Sequence, residues 1–82
     1  MIDKLRKIII ENCPNYSGIE ISEKTNLVND LGFDSLSLIT LLVNIEEEFN
    51  VQFDDFALEF ENIIYVQNIL NFIIAKKDKD ND

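Results

Sequence analysis

Histidine is absent from this chain, and cysteine occurs once, at Cys13. Without histidine, no Ser-His-Asp or Cys-His nucleophile can be assembled. A single cysteine forms no intrachain disulfide, and the usual structural zinc sites need more ligands than this chain offers. The two glycines form no Gly-rich phosphate loop, and no D-x-[DN]-x-[DN]-G calcium loop occurs. The composition therefore argues against an enzyme acting alone and against a metal site, and Cys13 is predicted to be a partly buried small hydrophobic residue.

Basic residues are also few: seven lysines and arginines face sixteen aspartates and glutamates, a net charge of -9. Such a surface repels nucleic acids and anionic membranes and attracts partners with basic patches, although the charge could simply maintain solubility. No apolar run is long enough to span a membrane, and Met1 is not followed by a secretory signal. We expect a soluble, cytoplasmic monomer, or a module resident in an organelle.

The 82 residues suit one small domain, and a hydrophobic fraction of 46% is sufficient for a core. Helical spacing predicts a first helix from Ile2 to about Cys13, because Pro14 disfavours helical backbone in the residue before it. A long connection follows, which Ile19 and Ile21 are predicted to anchor to the core.

Three further helices are predicted downstream. The second spans about residues 35–50, and a short third helix, capped by Asp54 or Asp55, ends near residue 62. The last helix starts at Val66 and has the cleanest helical period in the chain, whereas the charged tail, residues 77–82, should fray. The predicted fold class is all-α, a small four-helix bundle with three main helices, a short third helix and a long first loop.

One stretch, D-L-G-F-D-S-L at residues 30–36, combines the signals of a tight turn and of a helix start. Gly32 can adopt positive φ without steric cost, and Asp34 is a good N-cap. Ser35 is therefore predicted to lie exposed in the first helical turn, beside amides that lack partners within the helix. A phosphate on Ser35 would lie in the favourable field of the helix N-terminus. The alternative is an ordinary helix start.

The second helix is apolar nearly all round, which an 82-residue domain can hardly bury completely. We interpret Leu36, Ile39 and Val43 as a partly exposed docking stripe beside Ser35. The alternative is that these three side chains belong to the core.

These residues carry a family resemblance. The D-L-G-F-D-S-L stretch, the apolar helix behind it and E-E-E-F at residues 46–49 together resemble the acyl carrier proteins, over nearly the whole chain. In that family the serine of D-S-L carries a 4′-phosphopantetheine arm, donated by coenzyme A, in phosphodiester linkage. The resemblance implies that Ser35 is the attachment residue and that Gly32, Asp34 and Leu36 flank it in the motif.

The resemblance also implies a carrier domain over residues 1–76 that performs no chemistry of its own and shuttles acyl thioesters between enzymes. The implied partners are a phosphopantetheinyl transferase and acyl-loading ligases or synthases with basic docking patches. The acids expected to steer these partners flank the far end of the second helix: Glu46, Glu47, Glu48, Asp54 and Asp55.

The chain departs from its family's fatty-acid type at Ser37 and Thr40, where acids are common in that type. Neutral hydroxyls there favour a dedicated pathway, such as polyketide or hybrid peptide biosynthesis, over fatty-acid biosynthesis. Tyr65 stands where the family usually has a threonine that caps the final helix. Phe33 before D-S, where peptidyl carriers have a G-H pair, points to the acyl type.

A slot that shelters the acyl chain is a further hypothesis, with a dense aromatic core as the alternative. The residues proposed to line it are Ile45, Phe49, Phe53, Phe60 and Ile63. For the protein as a whole, the competing interpretation is a helical interaction module that is never modified and binds a partner helix through its exposed apolar stripe.

Overall fold

The computed structural model describes residues 2–53 and 63–80, and it confirms the all-α class within them. Three helices occur in these ranges: α1, Ile2–Asn12; α2, Ser35–Phe49; and α3, Val66–Asp80. The described residues contain no strand, only an isolated bridge between Asn26 and Tyr65. The predicted short helix capped by Asp54 or Asp55 lies outside them.

The observed helix ends follow from local chemistry. Helix α1 stops at Asn12, as Pro14 predicts. Helix α2 stops at Phe49 because Asn50 adopts the left-handed conformation, with φ 54°, and its backbone N–H donates to the Glu46 carbonyl. Helix α3 continues to Asp80, beyond the predicted start of the tail at residue 77, since no glycine or proline interrupts it. The fraying of residues 77–82 stays a prediction.

One hydrophobic core joins the three helices and the long first loop. Cys13 is partly buried and packs against this core, as predicted. The fully buried side chains come from all four parts of the chain: Leu5, Ile9, Ile21, Leu27, Leu38, Leu41, Ile45, Val66, Ile69 and Ile73.

Of the two residues predicted to anchor the long loop to the core, only Ile21 is buried. Ile21 is buried, and its carbonyl accepts a hydrogen bond of 2.8 Å from the Arg6 Nε. Ile19 is 44% exposed, so the prediction that it packs inward is wrong. The exposed Tyr16 donates from its hydroxyl to the Ile19 carbonyl at 2.8 Å, which holds this part of the loop at the surface.

The long loop also holds the beginning of α3. The Val66 amide donates to the Thr25 carbonyl at 3.1 Å, and the Gln67 amide donates to the Glu23 carbonyl at 2.9 Å. These two bonds satisfy amides that have no partner within the helix. Backbone carbonyls of the loop therefore cap the start of α3.

Candidate functional site

A compact turn leads the chain into α2. The Asn26 side-chain oxygen accepts hydrogen bonds from the amides of Val28 and Asn29, at 2.9 and 2.8 Å. The Asp30 carboxylate accepts from the Asn26 amide at 2.8 Å. Gly32 adopts φ 76°, as the sequence predicts, and this positive angle redirects the backbone toward the helix. The turn thus fixes where α2 begins.

Asp34 and Ser37 cap the start of α2 reciprocally. The Ser37 amide donates to the Asp34 Oδ1, and the Asp34 amide donates to the Ser37 Oγ, each at 2.8 Å. The Ser37 hydroxyl also donates to the Asp34 Oδ1 at 2.8 Å. Asp34 is the predicted N-cap, but the part played by Ser37 was not predicted. The detectable signal was its position three residues after the cap, which glutamate or glutamine usually fills.

These hydrogen bonds have an electrostatic consequence. The bond from the Ser37 amide, followed by that from the Ser37 side chain, lowers the pKa of the Asp34 carboxyl below its ordinary value of 3.8. Asp34 is therefore ionised at neutral pH, directly before Ser35.

Ser35 is the first residue of α2, and its side chain is exposed. Within the part of the chain that the structure describes, its hydroxyl has no hydrogen-bond partner. Leu36 beside it is 73% exposed. The predicted position of Ser35, on the surface in the first helical turn, is confirmed. Another macromolecule can approach this hydroxyl without displacing any part of the described chain.

The predicted apolar stripe faces solvent. Ile39 is 58% exposed and Val43 46% exposed, so with Leu36 they form a row of large apolar side chains along α2. The alternative, that these three residues belong to the core, is wrong. Their role in docking stays a prediction.

The acidic residues at the C-terminal end of α2 differ in their hydrogen bonds and exposure. The Glu46 carboxylate accepts a hydrogen bond of 2.8 Å from the Phe53 amide, which ties the chain after α2 back to the helix. Glu47 and Glu48 have exposed side chains. The other two acids predicted to steer partners, Asp54 and Asp55, lie outside the described residues. No feature of the sequence indicates the contact between Glu46 and the Phe53 amide.

Four of the residues predicted to line a slot are buried in the core: Ile45, Phe49, Phe53 and Ile63. The fifth, Phe60, lies outside the described residues. The Phe53 ring stacks on that of Phe72, with ring centroids 4.7 Å apart. Phe72 was not predicted as part of this region, although it precedes the buried Ile73 on α3. Whether an acyl chain enters here stays a hypothesis.

Neither an ion-binding cluster nor a membrane-spanning helix occurs among the residues that the structure describes. Across 2–53 and 63–80, no cluster of three or more acidic or cysteine side chains is arranged to hold an ion. None of the helices in that part of the chain has the length and apolarity needed to cross a bilayer.

Comparison with known proteins identifies the family. Residues 3–63 match the family model described as the phosphopantetheine attachment site. The acyl carrier protein of Wolinella succinogenes is 31% identical over 77 residues, covering 94% of this chain and 97% of that protein. Those of Desulforapulum autotrophicum and Caulobacter vibrioides are each 34% identical, over 89% and 93% of this chain and 92% and 94% of theirs. The chain therefore belongs to the acyl carrier proteins, which bear phosphopantetheine and are carriers, not enzymes.

Proposed function

We propose that Ser35 carries the phosphopantetheine arm and that the chain delivers acyl groups, held on that arm as thioesters, to a series of partner enzymes. The observation that carries this proposal is the exposed hydroxyl at the start of α2, which has no partner within the described residues. When attached, the arm supplies a thiol at the end of a flexible chain.

The surroundings of Ser35 fit such a group. The start of a helix favours the negative charge of a phosphodiester. The Ser37 amide, however, already donates to the Asp34 carboxylate, so it is not free to bind the phosphate. A group joined to the exposed Ser35 side chain can extend into solvent and swing into successive active sites.

The chain's own residues then perform two tasks. Gly32, Asp34 and Ser37 fix the position of the attachment residue through the turn and the cap. The exposed surface of α2 meets the partner enzyme, with Glu47 at its far end available to attract basic side chains. Because the substrate is tethered, the reaction after docking is effectively intramolecular, so docking itself can be weak and fast.

We further propose that the pathway is a dedicated one, polyketide or hybrid peptide biosynthesis, with fatty-acid biosynthesis as the alternative. The support is the neutral Ser37 and Thr40 near the attachment residue. Residues 1–76 would form the carrier domain, acting as a cytoplasmic monomer. Mass spectrometry of the protein isolated from its own cells would identify the acyl group, and a common straight-chain fatty acyl group would contradict the dedicated pathway.

We also propose that the acyl chain can shelter in a slot within the core. Phe49, Phe53 and the other buried candidates lie in one continuous core, which is where a sheltered acyl chain would have to enter. A crystal structure of the fatty-acylated protein with its acyl chain entirely in solvent would refute this part and leave the rest untouched.

Attachment at Ser35 is tested by incubating the unmodified protein with a broad-specificity phosphopantetheinyl transferase and coenzyme A, then measuring its mass. We expect the mass of one arm on the wild type and none on Ser35→Ala. The matched control is Ser17→Ala, which removes another exposed serine and should be modified like the wild type. An unmodified wild type that circular dichroism shows to be helical would refute the proposal and favour an interaction module that carries no arm.

A further inference from the structure

Glu46 holds the connection that follows α2, residues 50–53, at three points. Its backbone carbonyl accepts hydrogen bonds from the amides of Asn50 and Val51, the second at 3.1 Å. Its carboxylate accepts from the Phe53 amide at 2.8 Å. A charged acceptor makes a stronger hydrogen bond than a neutral one. The side chain of Glu46 therefore fixes the backbone of Phe53, seven residues further along the chain.

Phe53 fills part of the hydrophobic core. Its side chain is 6% exposed, and its ring stacks on that of Phe72, with ring centroids 4.7 Å apart and an angle of 22° between the planes. Val51 is buried as well, whereas Gln52 between them is exposed, which is the alternation of an extended chain. A non-helical connection thus contributes two apolar side chains to the core.

The Phe53 ring belongs to the same buried cluster as the other described candidates for the slot, Ile45, Phe49 and Ile63. Because protein interiors are close-packed, an acyl chain can enter only where a side chain gives up its volume. Moving Ile45 or Phe49 out of the core would disturb α2, which carries them. Moving Phe53 requires chiefly the release of the bond to the Glu46 carboxylate. Phe53 is therefore the side chain best placed to make way.

We propose that Glu46 is a latch: its carboxylate holds the Phe53 ring in the core when the arm carries no long acyl chain, and the ring leaves when such a chain takes its place. Glu46 is thus a positioning residue that acts through Phe53. The Phe53 side chain has about seven carbon atoms, so the volume that it leaves suits a linear acyl chain of medium length. The inference rests on the proposed attachment at Ser35 and on the proposed slot.

The latch is tested first on the unmodified protein, by measuring hydrogen exchange of the Phe53 amide with NMR. Glu46→Ala removes the acceptor and should speed this exchange roughly tenfold. Glu46→Gln keeps a neutral acceptor oxygen and should give a rate between those of the wild type and Glu46→Ala. The matched control is Glu47→Ala, which removes an exposed carboxylate and should leave the rate unchanged. An unchanged rate in Glu46→Ala would overturn the latch.

The second measurement compares two loaded forms of the wild type. A broad-specificity transferase supplied with octanoyl-coenzyme A or acetyl-coenzyme A gives protein with a long or a short acyl group on its arm. The octanoyl form should exchange the Phe53 amide roughly fivefold faster than the acetyl form, because only the longer chain displaces the ring.

The third measurement reads the competition between the ring and the acyl chain. The rise in urea midpoint from the acetyl to the octanoyl form should be larger in Glu46→Ala than in the wild type, because the ring competes less well once its latch is removed. Comparing the two loaded forms of one variant cancels the stability that the substitution itself costs. Glu47→Ala should show the same rise as the wild type, and equal rises in Glu46→Ala and the wild type would overturn the latch.

The possible results separate the proposals. An octanoyl group that leaves the urea midpoint of both the wild type and Glu46→Ala at the acetyl value would refute the slot and the latch together, while attachment at Ser35 stands. An octanoyl group that raises the midpoint without speeding exchange of the Phe53 amide would overturn the latch alone. Failure to load the folded wild type with either acyl group would overturn attachment at Ser35 itself.

Discussion

Helices α2 and α3 have the same length in the structure but begin in opposite ways. The first residue of α2 is an exposed serine, and its cap is made by the side chains of Asp34 and Ser37, within one helical turn. The first residue of α3 is the fully buried Val66, and its first amides are bonded to backbone carbonyls of the long loop. The start of α2 is capped by neighbouring residues, whereas the start of α3 is capped by residues distant in the sequence.

The difference shows how a small domain can present one residue to other molecules. A helix start that is capped by its own side chains needs no covering segment, so Ser35 stays accessible. At α3, by contrast, the loop bonds to the first amides, and the first side chain, Val66, is buried. The proposed attachment residue therefore lies at the α2 start, where its exposure removes no side chain from the core.

The largest expected contrast comes from truncating the first residue of each helix. Val66→Ala removes buried methyl groups and should destabilise the fold by about 2 kcal/mol. Ser35→Ala changes an exposed side chain and should alter the free energy of unfolding by less than about 0.5 kcal/mol. Urea denaturation followed by circular dichroism measures both. Equal losses in the two variants would mean that the α2 start is not independent of the core.

A smaller effect should follow from removing the reciprocal cap. Ser37→Ala deletes the partner of the Asp34 amide and should cost about 0.5–1 kcal/mol in urea denaturation. Asp34→Ala should also lower the urea midpoint, and the double variant should lose less than the sum, because the two residues share one set of hydrogen bonds.

The matched control for this cap is Glu23→Ala at the other helix. There the backbone carbonyl, not the side chain, accepts from the Gln67 amide, so the urea midpoint should hardly change. A loss as large as that of Ser37→Ala would show that the start of α3 also depends on a side-chain cap.

The smallest expected effect is in the pH dependence. The folded-state pKa of Asp34 is lowered, so its carboxylate stabilises the fold fully above the unfolded pKa, and this contribution disappears as pH falls through the folded pKa. The difference in urea midpoint between the wild type and Asp34→Ala should therefore be constant above about pH 5 and shrink below pH 3.8. The loss in Val66→Ala should lack this feature, since the methyl groups that it removes do not titrate. A constant difference down to about pH 2 would contradict this account.

What the sequence could predict is what depends on neighbouring residues. Gly32, Asp34 and Ser35 follow local rules for turns and helix starts, and all three adopt the predicted arrangement. The exposure of Ile39 and Val43 was predictable because a helix this apolar cannot be buried on every side in so small a domain.

What the sequence could not predict depends on distant pairings. The carbonyls of Glu23 and Thr25 that replace a capping residue at α3 are backbone groups, which every residue has, so no residue type marks them. The contact between Glu46 and the Phe53 amide is hidden in the same way, since an acidic residue near a helix end is ordinarily exposed.

The pairing of the Leu27 amide with the Ile64 carbonyl, beside the two bonds at the start of α3, has a kinetic consequence. Joining these segments requires closing a long stretch of chain, whereas the cap at Ser35 closes within a single turn. We therefore expect the start of α2, where the arm is proposed to attach, to become ordered early in folding and the docking of α3 to complete the transition. A newly made chain would then expose Ser35, the proposed modification residue, in near-final form before the rest of the domain has assembled.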